Sequence, residues 1–108
     1  MLLAAASQEK KANLDVFFVT LSLEARIPAM KLASALREEG ISADLDFGGR
    51  GLRAQFKHVD RVGASYAVIL GEHELAQGIA TVRDMASGDE RKVPLTDGVK
   101  DLLRAVAG

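Results

Sequence analysis

The stretch Asp15-Val-Phe-Phe-Val-Thr-Leu21 decides the fold class, because it is a short run of β-branched and aromatic residues with almost no polar alternation. Such a run predicts a strand covered on both faces, as in the middle of a largely parallel sheet. Ser65-Tyr-Ala-Val-Ile-Leu70 has the same character and predicts a neighbouring central strand, parallel to the first. Burial on two faces requires helices above and below the sheet, so we expect an α/β protein.

Two helices are predicted between these strands, because the apolar residues change to helical spacing. The first lies within Ser22 to Gly40, where Pro28 must lie near the first turn or kink the helix. The second covers Leu52 to Val62, and between the two helices Ser42 to Phe47 predicts a strand polar enough for a sheet edge. The side chains expected to face inward on the second helix are Leu52, Phe56 and Val59.

The last third of the chain predicts a hairpin and a final helix. Gly71 to Gly78 is typical of a loop or a single helical turn. Ile79 to Met85 and Glu90 to Leu95 then predict two strands around a turn, and Thr96 is suited to cap a helix that runs through Ala107. The predicted architecture is three-layer α/β/α, with a mixed sheet of about five strands in which one is antiparallel.

The composition describes one ordinary domain. With 108 residues the chain has the commonest domain size, and we expect residues 14–108 to form the domain behind a leader of residues 1–13. The absence of cysteine excludes disulfides, Cys-ligated zinc, iron–sulfur clusters and thiol nucleophiles. No stretch has the pattern of a secretory signal or a membrane span, so a cytoplasmic protein is expected.

The charge is balanced overall but basic in one place. The net charge is −1, from 14 Lys+Arg and 15 Asp+Glu, so bulk charge does not draw the chain to nucleic acid or to a membrane. Arg50, Arg53 and Lys57 fall near one face of the second predicted helix, at a spacing that suits a phosphate backbone. The alternative is a solvated helix face without a partner.

A glycine motif precedes the second predicted helix. Gly49-Arg-Gly-Leu-Arg-Ala54 matches G-x-G-x-x-A, and Glu72 lies at about the distance of a ribose-binding acid. The motif belongs to the first strand–helix turn of a dinucleotide-binding domain, however, and here it lies on the second. Two interpretations of the motif stay open. It belongs to a small nucleotide-binding domain, or it is a tight turn before a helix whose N-terminus can bind an anion.

Gly71-Glu-His-Glu-Leu75 is the other polar cluster, at the end of a buried parallel strand where open α/β sheets contact ligands. Glu72, His73 and Glu74 are contiguous, so they cannot all point at one metal ion. The two carboxylates also lack a visible nucleophile. We therefore expect neither a metal site nor a catalytic residue.

Three longer stretches carry a resemblance to a known family: Leu45-Asp-Phe-Gly-Gly-Arg-Gly-Leu-Arg-Ala-Gln-Phe-Lys-His-Val-Asp60, Gly63-Ala-Ser-Tyr-Ala-Val-Ile-Leu-Gly-Glu-His-Glu-Leu75 and Gly78-Ile-Ala-Thr-Val-Arg-Asp84. Together they resemble the C-terminal anticodon-binding domain of bacterial histidyl-tRNA synthetases. Gly51 departs from the Ser usual in that family, and His73 from the Asp common there. The resemblance implies a five-stranded mixed sheet with flanking helices, in agreement with the order predicted above.

The resemblance also implies which residues bind RNA. Glu74 is expected to accept hydrogen bonds from a base edge, such as the N1–H and N2–H of guanine. Arg83, nine residues later, is expected to donate to a base carbonyl or a phosphate. In the related threonyl enzymes a Glu and an Arg at this spacing line the anticodon site, as does a basic residue matching Lys57. The alternatives are a surface acid for Glu74 and a cross-strand salt bridge for Arg83.

Partners and cofactors outside this chain follow from the same resemblance. The ATP- and histidine-binding motifs of a class II aminoacyl-tRNA synthetase have no counterpart here, so this chain alone is expected not to aminoacylate. ATP and Mg are expected in the catalytic domain of a homodimeric parent, a histidine–tRNA ligase, and no cofactor is expected in this domain. The expected partner is the anticodon loop of tRNA(His), and residues 1–13 are expected to end a helix from the catalytic domain. A stand-alone interaction domain of the same fold stays an alternative.

Overall fold

The computed structural model describes residues 14–45, 51–96 and 99–107, which form a five-stranded sheet with helices on both sides. The strands are β1 (Val16–Thr20), β2 (Ala43–Leu45), β3 (Tyr66–Leu70), β4 (Ile79–Asp84) and β5 (Glu90–Pro94). The helices are α1 (Leu23–Glu38), α2 (Leu52–Val62), α3 (Glu72–Gln77) and α4 (Lys100–Ala107). The predicted leader and the predicted strand residues 46 and 47 lie outside the described residues.

The sheet has the strand order β2-β1-β3-β4-β5. β1 pairs in parallel with β2 on one side and with β3 on the other. β4 is antiparallel to both β3 and β5, so among the described strands it alone runs against the rest. The prediction of a mixed sheet with one antiparallel strand is confirmed, and the polar strand β2 lies at an edge as expected.

β1 is covered on both faces, and all five of its residues are buried. Val16 and Phe18 belong to the core that includes the buried residues of α1 and α4. Phe17 and Val19 point to the other face of the sheet, where they pack with Val59 of α2. Helices therefore lie on both faces, and the predicted three-layer α/β/α architecture is confirmed.

α1 packs on the sheet through small side chains. Ala25, Ala29 and Ala33 are fully buried one turn apart, and Leu36 continues the same stripe. Pro28 lies inside the helix, in its second turn. In the part of the chain that the structure describes, no helix is long and apolar enough to cross a membrane.

Gly71 to Gly78 contains a short helix, α3, so the helical one of the two predicted alternatives is found. The last helix starts at Lys100, so the prediction that Thr96 caps it is wrong. The Leu95 N–H donates to the carbonyl of Gly78 at 2.8 Å, so the chain follows the sheet to Leu95 as predicted, and the helix begins only at Lys100.

The inward face of α2 also differs from the prediction. Gln55 is 2% exposed, whereas Phe56 is only partly buried at the margin of the core. Val59 is fully buried, as expected. A polar residue therefore occupies the centre of the contact between α2 and the sheet. Phe56 lies at the margin of this contact, beside polar side chains of β4 and β5.

Candidate nucleic-acid interface

One face of β4 and β5 carries polar side chains beside α2. In an antiparallel pair, directly opposed residues point to the same face of the sheet. Thr81 lies opposite Lys92, and Arg83 lies opposite Glu90. Arg83 is also opposite Ala67 of β3, which belongs to the core beneath α2. We call the surface formed by Thr81, Arg83, Glu90 and Lys92 the β4–β5 face.

Glu74 lies at the border of the β4–β5 face, in the first turn of α3. Its Oε1 accepts a hydrogen bond from the Gly71 N–H at 2.9 Å. Its Oε2 accepts one from the Thr81 hydroxyl at 3.4 Å. A Glu at this position that bonds back to the residue before the helix stabilises the helix start. Glu74 is thus a half-buried carboxylate held at both oxygens, rather than a free surface acid.

Arg83 packs between α2 and β5. Its guanidinium carbon lies 5.5 Å from the centre of the Phe56 ring. Its Nη1 lies 3.5 Å from Glu90 Oε2, and the two side chains are 40% and 47% exposed. The cross-strand salt bridge anticipated from the sequence is therefore present. An ion pair this exposed contributes only about 0–1 kcal/mol, so it does not prevent Arg83 from meeting a ligand.

The structure brings Glu74 and Arg83 to one face, although they are nine residues apart in the chain. Glu74 contacts Thr81, and Arg83 is two residues further along β4 on the same side of the strand. Two strand residues span about 7 Å. A carboxylate that accepts hydrogen bonds and a guanidinium that donates them thus lie within reach of a single nucleotide.

The basic stripe lies elsewhere on α2. Arg53 and Lys57 are exposed and one turn apart, on the side of the helix opposite the buried Gln55 and Val59. They face away from the sheet, so the structure does not bring them onto the β4–β5 face. Arg50 lies outside the described residues.

Three residues of this face were missed in the sequence analysis: Thr81, Glu90 and Lys92. Thr81 is 7% exposed and its hydroxyl meets Glu74, while Lys92 is exposed opposite it. The alternation in β4 was the available signal, because residues two apart on a strand share a face. Thr81 and Arg83 have this spacing, and Thr81 was overlooked because a lone threonine in a strand is ordinary.

The other polar residues considered in the sequence analysis do not form a site among the described residues. Glu72 and His73 are exposed on α3. Among the described residues, no group of three or more His, Asp or Glu side chains is arranged to hold a metal ion. Gly51 precedes α2 in an extended conformation, and the other glycine of the G-x-G motif lies outside the described ranges.

Comparisons with known proteins give a consistent result. Residues 15–104 match a family described as an anticodon binding domain. The chain is 58% identical over 108 residues to a histidine–tRNA ligase of Rubrobacter xylanophilus, covering 100% of this chain and 25% of that protein. It is 45% identical over 97 residues to a histidine–tRNA ligase of Symbiobacterium thermophilum, covering 90% of this chain and 22% of that protein.

Solved structures resemble the chain as well. The crystal structure of apo histidyl-tRNA synthetase from S. aureus superposes with a TM-score of 0.80 at 33% identity, over 91% of this chain and 24% of that one. Histidyl-tRNA synthetase from Nostoc sp. PCC 7120 gives a TM-score of 0.76 at 25% identity, over 94% and 24%. The chain therefore spans about a quarter of the length of these relatives.

Proposed function

The chain belongs to the anticodon binding domain family, and from that premise we propose that it reads the anticodon of a histidine tRNA for a separate catalytic domain. The observation that carries the proposal is the meeting of Glu74 and Arg83 beside Thr81 on one face. The relatives of matching sequence are histidine–tRNA ligases about four times as long. Aminoacylation, with its ATP and Mg, is accordingly proposed for the rest of a homodimeric parent protein.

The chemistry of Glu74 suits a base edge. The histidine anticodon is G-U-G, and guanine presents N1–H and N2–H side by side. Proteins read single-stranded RNA through such hydrogen bonds to bases that are splayed out of the stack. A carboxylate offers about four acceptor positions, and the contacts with Gly71 and Thr81 use two of them. Glu74 therefore keeps the acceptors that a guanine edge needs.

Arg83 supplies the complementary donors. Its guanidinium is steadied by the Phe56 ring and by Glu90, and 40% of the side chain is exposed. A base carbonyl or a phosphate can replace Glu90 as the acceptor, because both are negative or strongly polar oxygens. Arg53 and Lys57 are proposed to contact phosphates from the exposed side of α2, where they add affinity without reading sequence.

A second candidate is the stand-alone interaction domain. The observation in its favour is an exposed apolar group near the start of α1, with exposures of 48% for Leu21, 72% for Leu23, 57% for Ile27 and 42% for Met30. Apolar surface of this kind marks protein contacts. A domain used only for assembly would not discriminate between anticodon sequences, so the RNA measurement below separates the two candidates.

The test is a binding titration of the 108-residue chain with two RNA stem-loops. One carries the histidine anticodon and the other the same stem with a scrambled loop, and fluorescence anisotropy is read at matched salt. The proposal expects tighter binding of the histidine loop. Equal affinity for the two RNAs would contradict the proposal and favour the assembly role. In a separate titration with NAD or ATP, tight binding would favour the small-nucleotide alternative.

A further inference from the structure

The Glu74 carboxylate accepts a hydrogen bond at each of its oxygens, one from the end of β3 and one from the neighbouring strand β4. The Gly71 N–H, at the end of β3, donates to Oε1 at 2.9 Å. The Thr81 hydroxyl, on β4, donates to Oε2 at 3.4 Å. A flexible Glu side chain with only one bond can rotate about that bond. The second contact restricts this rotation, so the plane of the carboxylate is set jointly by Gly71 and by Thr81 of β4.

The absence of a side chain at Gly71 matters for space and not for backbone conformation. Its φ is −137°, an extended value that any residue adopts. A Cβ at this position would lie 3.1 Å from Glu74 Oε1 and 3.0 Å from Leu21 Cδ1. Both distances are shorter than ordinary van der Waals contact. With a Cβ at Gly71, the Glu74 carboxylate and the Leu21 side chain would each have to move by a few tenths of an ångström, which would disturb the contact with the Gly71 N–H.

Thr81 is itself held firmly. It is 7% exposed, in a strand that pairs on both sides, opposite Ile69 and Lys92. A β-branched side chain in a strand has few χ1 positions available, so its hydroxyl is directed by the backbone. The 3.4 Å contact is longer than a usual O–H···O bond, so it is the weaker of the two contacts that orient the Glu74 carboxylate.

We propose that Gly71 and Thr81 are positioning residues that hold the Glu74 carboxylate in one orientation, and that discrimination between anticodon bases depends on them. This inference rests on the proposed function. A carboxylate fixed before binding loses less conformational entropy when a base arrives. It also presents its two remaining acceptors in one direction, which a misaligned base edge cannot match.

The test uses three variants of the chain, titrated with the histidine and scrambled stem-loops. Thr81→Val removes the hydroxyl at nearly constant shape, Thr81→Ser keeps the hydroxyl, and Gly71→Ala crowds the carboxylate. Thr81→Val and Gly71→Ala are each expected to reduce the ratio of the two affinities by about 3- to 10-fold, the effect of freeing one flexible side chain. Affinity for the scrambled loop should stay constant, and Thr81→Ser should keep most of the wild-type ratio.

A purely structural role of Thr81 would change the stability of the fold and not the ratio of the two affinities. Thr81→Val would then lower the unfolding midpoint and weaken both RNAs equally, leaving the ratio unchanged, and that result would overturn the inference. If Thr81→Val does not fold, Thr81→Ser still tests the inference. This variant keeps the hydroxyl, so an affinity ratio as low as that of Gly71→Ala would contradict the positioning role of Thr81. If the wild-type chain itself fails to discriminate, the proposed function falls. A discriminating wild type with indifferent variants overturns only the positioning role.

Discussion

Gln55 of α2 bonds to both backbone polar groups of Thr20. Its Oε1 accepts the Thr20 N–H at 3.0 Å, and its Nε2 donates to the Thr20 carbonyl at 2.8 Å. The described pairing of β1 with β2 ends at Phe18, two residues earlier. The amide of Gln55 thus bonds to the backbone of the last residue of β1, beyond the described pairing with β2, which explains why a polar residue occupies the centre of the α2 contact.

Gln55→Leu is expected to destabilise the domain. It leaves a buried N–H and a buried C=O without this partner, and each such group costs about 1–3 kcal/mol. The free energy of unfolding, measured by urea titration, should fall by at least that amount. The matched control is Gln77→Leu, the same change at an exposed position of α3, with an expected effect within about 0.5 kcal/mol. Equal effects at the two positions would contradict the bridging role of Gln55.

Phe18→Ala tests the central strand. Phe18 is fully buried in β1, so truncation leaves a cavity in a close-packed layer and should cost about 3–5 kcal/mol. Ile69→Ala should cost less, about 2 kcal/mol, because Ile69 is only partly buried on β3. Urea or thermal unfolding gives both values. A larger loss of unfolding free energy for Ile69→Ala than for Phe18→Ala would contradict the structure, in which Phe18 is buried more completely than Ile69.

RNA binding is expected to depend on salt through the exposed face of α2. If Arg53 and Lys57 contact phosphates, the logarithm of affinity should fall linearly with the logarithm of salt concentration. Lys57→Ala should flatten that slope by about 0.7 and weaken both stem-loops alike. Lys31→Ala, an exposed lysine on α1 at the other face of the sheet, is the control and should leave the slope unchanged.

Glu74→Gln separates base reading from helix stabilisation. The Gln carbonyl oxygen can still accept the Gly71 N–H, so the start of α3 is expected to be retained. One acceptor becomes a donor, however, and binding of the histidine stem-loop should weaken by about 1–3 kcal/mol, the value for a good base-edge pair in DNA. The scrambled loop should be unaffected or bind slightly better. An equal loss for both RNAs would return Glu74 to a purely structural role.

Glu90→Gln tests whether the ion pair on the β4–β5 face competes with RNA. Removing this carboxylate frees Arg83 and takes away a negative charge from the surface that the RNA approaches. Affinity for both stem-loops should rise about two- to fivefold at low salt, while stability changes by less than about 1 kcal/mol. Glu38→Gln, at an exposed position on α1, is the control. A fall in affinity would mean that Glu90 orients Arg83 for binding.

The architecture followed from local patterns. The unbroken apolar run of β1 predicts a strand covered on both faces, because a strand with one solvated face alternates. The buried alanines one turn apart in α1 and the hairpin from Ile79 onwards are equally local signals. Each depends on residues a few positions apart, which is why the order of elements and the single antiparallel strand could be predicted.

The candidate site was predicted only in part. The resemblance singled out Glu74 and Arg83 by type and spacing, and the alternatives named for them were a surface acid and a cross-strand salt bridge. Glu74 is instead anchored at both oxygens, while the Arg83–Glu90 pair matches its alternative. Arg53 and Lys57 of the predicted helical stripe share one exposed side of α2, and Arg50 lies outside the described residues. The direction of this stripe, away from the sheet, depended on which side of α2 is buried.

What the sequence alone determined is therefore the set of elements and the residue types available for RNA. The tertiary structure decided the contacts between residues that are distant in the chain: Gln55 bonds to Thr20, 35 residues away, and Glu74 to Thr81 on the next strand. The bond from the Leu95 N–H to the Gly78 carbonyl is of the same kind. A buried hydrogen bond needs a partner at a fixed distance and angle, and only the packing of α2, α3 and the sheet supplies that partner.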